Sequence, residues 1–171
     1  MKLTDILPLE QWVELEKEIH NRHGLNAAVL DKDGIRITDY RNWANRLCPV
    51  VKSNEKGQSF ICAVANQNMI AQAMETRKPV TEECDAGLVK LVVPIFVGDE
   101  FLGIAGGCGL LLDDGEVDSF LVSKITEIDE KEIQSLSNDI NRITSDKIES
   151  LIEYVQEQIH SIVSDFEKQT Q

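Results

Sequence analysis

Residues 87–112 read GLVKLVVPIFVGDEFLGIAGGCGLLL. Two β-prone arms flank Gly98-Asp99, and glycine in the first central position of a two-residue connection fits a type II′ hairpin turn. Pro94 within the first arm marks an edge or a bulge, because proline has no N–H to give to a ladder. The second arm runs into GIAGGCG at 103–109, where a cysteine stands between glycines inside what is otherwise a strand. Missing side chains let a neighbouring backbone or a cofactor come close. Cys108 therefore either packs there or closes a site.

Working outward, PVTEEC at 79–84 reads as a short strand leading into the hairpin. Residues 58–77, QSFICAVANQNMIAQAMETR, contain no Gly or Pro and predict a buried helix that Pro79 ends. The stretch NWANRLCPVVKSNEKG at 42–57 has no clear period and reads as loop or short helix. Before it, LNAAVLDKDGIRITDY at 25–40 carries two β-prone runs around DKDG, a hairpin signal with Gly34 available for positive φ. The first segment, 8–23, reads as a helix opened by Pro8 and capped by Gly24. Leu9, Trp12, Val13 and Ile19 form its apolar stripe, with Glu16 as one polar exception. From Glu116 onward the chain reads as helical, with Asp129 and Glu132 spaced as a capping box. The sum is a small antiparallel sheet flanked by helices, an α+β architecture.

The C-terminal segment has the clearest period. Ile148, Ile152, Val155, Ile159, Ile162 and Phe166 are spaced 4-3-4-3-4, and Leu151 and Val163 widen the stripe. Such a helix either lies on its own sheet or pairs with a second copy and passes a signal onward. The division expected is a domain over residues 1–143 and an amphipathic, heptad-like helix over 144–171.

Composition narrows the function. The chain carries 30 acidic and 17 basic residues, a formal net charge of −13. That balance argues against a grip on nucleic acid or on an anionic membrane surface. No apolar run reaches the roughly 18 residues of a transmembrane helix, and the N-terminus lacks a signal-peptide core, so a cytoplasmic protein is expected. In that compartment Cys48, Cys62, Cys84 and Cys108 are buried thiols, metal ligands or redox groups rather than disulfides. Their spacing is C-x13-C-x21-C-x23-C, with no C-x-x-C pair, so spacing alone signals metal weakly. Four thiolates can still converge, and four is the number that tetrahedral zinc or an iron–sulfur cluster takes. His20 and His23 stand where a helix C-terminus favours cations, and His160 reads as exposed. LDDGEVD at 112–118 lacks EF-hand spacing. No Ser-His-Asp order, H-E-x-x-H or P-loop is present, so no enzymatic activity is expected.

The order of these pieces is familiar. AAVLDKDGIRITDY, then Cys48, then Cys62 in a helix, then KPVTEECDAGLVKLVVPIFVGDEFLGIAGG resembles the PocR-type sensory domain over about residues 8–140. The LDKDG hairpin, the CDAGL turn and the VPIFVGDEFLG hairpin carry the resemblance. It implies a PAS-like fold, an antiparallel sheet cupping a pocket, used as an input module of bacterial and archaeal regulators, some of which bind small organic metabolites. It carries three cysteines onto Cys48, Cys62 and Cys84. Many members look to have a GQ pair near the end of the last strand; GGCG stands there instead and supplies Cys108 as a fourth thiol.

The leading expectation is therefore a sensory module that binds an iron–sulfur cluster or zinc through Cys48, Cys62, Cys84 and Cys108 and reports redox, gas or metabolite state. One alternative is a metal-free apolar pocket for a small organic ligand, with Met69, Met74, Phe96 and Asp85 as candidate lining. Another is a structural, dimer-forming adaptor. A thiol enzyme would need one cysteine far more reactive than the rest. The expected partners are a second copy through the C-terminal helix and a downstream regulator or kinase, the chain being either a stand-alone module or a truncated input domain.

Overall fold

A computed structural model describes residues 1–170. The hairpin at 87–112 is its spine. Strand β3 (Val89–Val97) and the long β4 (Glu100–Leu112) pair antiparallel around Gly98, whose φ of 57° meets the turn requirement. Strand β1 (Asn26–Asp31) adds to the other edge of β4, and β2 (Val80–Glu83) to the outer edge of β3, giving the order β1-β4-β3-β2. Strand β2 starts opposite Val92, so Pro94 falls just beyond it, where its missing N–H leaves no ladder bond unmade. A two-residue β5 (Arg142–Ile143) pairs parallel with the end of β4.

Helices cover one face of this sheet. Helix α1 (Leu3–Ile6) and α2 (Leu9–His23) pack with α8 (Ser145–Gln169) against Val89, Leu91, Val93 and Ile95 of β3. The Arg22 guanidinium lies 3.5 Å over the Tyr154 ring and ties α2 to α8. Ile148, Leu151, Val155 and Ile159 are buried in this same core, and Ile152, Ile162, Val163 and Phe166 are half-buried against it. The 4-3-4-3-4 stripe is thus used first on the protein's own sheet. The helix beginning at 145 belongs to the domain core rather than standing apart from residues 1–143. No helix is long and apolar enough to cross a membrane.

The other face is a cup. Helix α5 (Ala63–Thr76) covers its turn end through Met69, Ile70 and Ala73. Helices α3 (Leu47–Ser53), α4 (Glu55–Gly57), α6 (Ser119–Thr126) and α7 (Glu130–Ser137) close its other end. Residues 42–57, expected as loop or short helix, are mostly helical. Asn45 starts α3 by accepting the Cys48 N–H on Oδ1 at 2.7 Å, and Pro49 sits in the first turn, where a missing N–H costs nothing. The predicted 58–77 helix begins as a π-helical turn, Gln58–Cys62, before α5.

The hairpin at 25–40 forms only in part. Its second arm makes one isolated bridge, Leu30 to Arg36, because Arg36 and Thr38 turn their side chains to Glu16 on α2. Glu16 is fully buried. Its Oε1 accepts from the Val29 N–H at 2.8 Å and from Arg36 at 3.1 Å, and its Oε2 from the Thr38 hydroxyl at 2.6 Å. The polar exception in the α2 stripe is therefore the clamp that fixes residues 36–38 beside β1. Burial raises its carboxyl pKa, with Thr38 and Arg36 opposing. Glu16→Ala leaves the half-buried Arg36 guanidinium without its counter-charge and the Val29 N–H unpartnered, and the expected loss is about 3 kcal/mol of stability in urea unfolding.

Candidate functional site

The cup brings the four cysteines to one cavity of about 590 Å³, part of it open to solvent. Each arrives on a different element: Cys48 on α3, Cys62 at the end of the π-helical turn, Cys84 just after β2, and Cys108 on β4. Trp43, Leu47, Val51, Ile61, Ala86 and Leu88 supply apolar wall. All four thiols are free and half-buried. Among the described residues no three Cys, His, Asp or Glu side chains are grouped so that they could hold a metal ion.

Local structure explains each placement. Cys108 lies in a row across three strands, opposite Asn26 of β1 and Lys90 of β3. The next residue answers why glycine surrounds it. Gly109 has φ 103°, and a Cβ there would stand 2.8 Å from the Ala44 Cβ and 3.2 Å from Asn45 Nδ2. The absence of a side chain lets the Ala44–Cys48 loop close on the strand. Asn45 fastens that closure: its Nδ2 donates to the Gly109 carbonyl at 2.7 Å and to the Cys48 sulfur at 3.2 Å.

Cys84 sits in a tight turn closed by its own N–H on the Leu88 carbonyl at 2.9 Å and by the Gly87 N–H on its carbonyl at 2.8 Å. The Ala86 and Leu88 N–H groups face its sulfur and favour thiolate. Cys62 lies well inside the helical turns that begin at Glu55, not at a helix start. The π-helical turn sets its place instead, an irregularity frequent at functional sites.

Burial dominates the electrostatics. It pushes the Cys48 thiol far up, with neighbouring Cys108 adding to the shift, and raises Cys62 and Cys84 as well. The Lys52 ammonium opposes the rise at Cys62. Burial in turn lowers Lys52 itself, with the Cys62 thiolate opposing. Without a cation among them these thiols stay protonated at neutral pH.

The residues proposed for an apolar organic pocket do not line this cavity. Met69 is buried between α5 and the sheet and borders a small polar recess with Asp85, which is exposed. Met74 is half exposed on the outer side of α5. Phe96 stacks on Phe101 at 5.2 Å under the Arg77 guanidinium, at the turn end of the hairpin. Sequence reasoning missed Trp43, Asn45, Lys52, Lys90 and Asn26. Two of these carried a signal: Asn26 and Lys90 are polar residues within otherwise apolar strand runs.

Among the histidines, the His20 Nδ1 meets the Leu25 carbonyl at 2.7 Å at the end of α2, and His160 is exposed. None approaches the thiols.

A sheet with helices packed on one face and a thiol-lined cup on the other defines a cupped α+β domain. A family model, the sensory domain found in PocR, matches residues 5–166, nearly the whole chain. The chain belongs to that family and is a signal-sensing module. No curated protein and no solved structure gave a significant match.

Proposed function

We propose that this sensory module holds an iron–sulfur cluster in its cup through Cys48, Cys62, Cys84 and Cys108 and reports redox or gas state within a prokaryotic regulatory system. The observation that carries the reading is the convergence of four cysteines, from four elements far apart in sequence, on one cavity. Burying four thiols by chance on four separate elements is a poor use of a sensory cup; a thiolate centre gives each a reason to be there.

The donor set fits such a group. Four soft sulfurs suit iron–sulfur or zinc chemistry. Hydrogen bonds to sulfur of the kind made at Cys48 and Cys84 tune cluster potentials. A single zinc needs its sulfurs within about 2.3 Å of one point. These thiols share one cavity, and among the described residues no three of them form a group that could hold a single metal ion. When bound, the cluster supplies a one-electron redox centre; the protein supplies the ligands and the apolar wall. Free thiols for its assembly fit the reducing cytoplasm. Helix α8, which touches the sheet that bears Cys108, is the route by which a change in the cup reaches a second copy of the chain or a downstream regulator or kinase.

The test is an absorption spectrum of protein purified without oxygen, with iron, sulfide and zinc measured on the same sample. A brown protein with a broad visible band and matched iron and sulfide is expected, and Cys108→Ala is expected to lose both. Colourless protein with one zinc per chain keeps the thiolate centre and makes it a structural staple. Colourless, metal-free protein overturns the reading.

A further inference from the structure

Beyond the thiols the cup widens into a solvent-open cleft of about 1020 Å³ with a different character. Arg36, Arg41, Lys52 and Lys90 line it, and no Asp or Glu does among the described residues. In a chain with 30 acidic and 17 basic residues that arrangement runs against composition. Arg36 is neutralised by Glu16. The others are not: Arg41, Lys52 and Lys90 have no ion-pair partner among the described residues, and Lys90 is met only by the Asn66 side-chain oxygen. Such a concave cationic surface concentrates anions.

A second observation is independent of charge. Asn26, 6% exposed, and Gln58 also line the cleft, and the buried side-chain oxygens Asn26 Oδ1 and Gln58 Oε1 have no hydrogen-bond partner. Buried polar atoms are nearly always paired, so two orphan acceptors on residues that line one cleft mark where a donor belongs. An apolar metabolite supplies no charge, and a fully ionised inorganic anion supplies no donor.

We propose that the outer cup binds a small hydroxylated carboxylate, whose carboxylates meet Arg41, Lys52 and Lys90 and whose hydroxyl donates to Asn26 or Gln58. The site needs no thiolate and does not rest on the metal reading. It makes the module a receptor for an organic acid, with the ligand seated against the Asn26–Cys108–Lys90 row of the sheet.

The experiment is isothermal titration calorimetry of the full chain with malate and with citrate. Succinate is the control with charge but no hydroxyl, and glycerol the control with hydroxyls but no charge. Malate or citrate is expected to bind with Kd below about 1 mM, succinate about tenfold more weakly, and glycerol not at all. The Arg41→Gln/Lys52→Met double variant removes no ion pair between described residues, so in metal-free protein it keeps the melting temperature while weakening the hydroxy acid by about tenfold or more. No heat up to about 10 mM hydroxy acid, glycerol binding as well as malate, or an unaffected double variant overturns the proposal. Metal-free protein that binds malate keeps this inference and drops the cluster; metal-loaded protein that ignores both hydroxy acids does the reverse.

Discussion

On the thiolate centre proposed above, lowering the pH by one unit will weaken metal retention by about a thousandfold, measured as the chelator concentration that strips half the metal from anaerobic protein. The sign follows from the thiols. Burial holds Cys48, Cys62 and Cys84 above the ordinary thiol range, so the metal-free cup is protonated at neutral pH. Each thiolate ligand formed must then release a proton. A ligand that releases protons binds more tightly as pH rises, by about tenfold per proton per unit while the pH stays below the free thiol pKa. Three raised thiols therefore give about three decades per unit. Retention that does not vary between pH 6 and 8 would mean that the metal is held by groups already deprotonated, which these sulfurs are not. The Lys52→Met variant sharpens the test. Lys52 is the group that opposes the rise at Cys62, so its loss makes that thiolate harder to form and moves the whole release curve to higher pH.

Much of this was open to a reader of the sequence, and the reasons are local. The β3–β4 hairpin is specified by its own turn and by two β-prone apolar arms, and α2 by its stripe and the flanking Pro8 and Gly24; both follow rules that operate over a few residues. The second arm of the 25–40 hairpin was not legible, because what diverts it is Glu16, twenty residues upstream of Arg36. The heptad stripe of α8 was legible as a stripe but not as to its occupant, since a sheet face and a partner helix ask for the same spacing. The cysteines could be named from their number and setting, but their convergence on one cavity depends on the strand register that sets Cys108 opposite Asn26 and on the closure of residues 44–48. The cationic cleft was least legible. Its basic residues come from the 36–41 segment, α3 and β3, and in a chain of net charge −13 nothing in the composition announces them.

Gly109→Val will destabilise the fold by about 4 kcal/mol and take the proposed thiolate centre with it, because two costs fall on one residue. The first is conformational: φ of 103° is a region that side chains with a Cβ rarely adopt, at a cost of order 1–3 kcal/mol. The second is steric, about 1–3 kcal/mol, since the new carbon would lie 2.8 Å from the Ala44 Cβ. The clash has one direction of relief, which is to push residues 44–48 away from β4. That movement breaks the bond from Asn45 Nδ2 to the Gly109 carbonyl and carries Cys48, which Asn45 holds, away from the cavity. Gly98→Ala is the control. Gly98 also has positive φ, 57°, but a Cβ there has nothing within 4 Å, so only the backbone cost remains, about 1 kcal/mol. Urea unfolding of the two variants, with metal content measured alongside, separates the terms. A Gly109→Val protein no less stable than Gly98→Ala, with its metal intact, would mean that strand and loop are not pressed together at residue 109. The glycines around Cys108 would then serve the backbone alone. A large difference accompanied by metal loss makes the bare backbone at 109 the condition under which Cys48 and Cys108 can share a ligand.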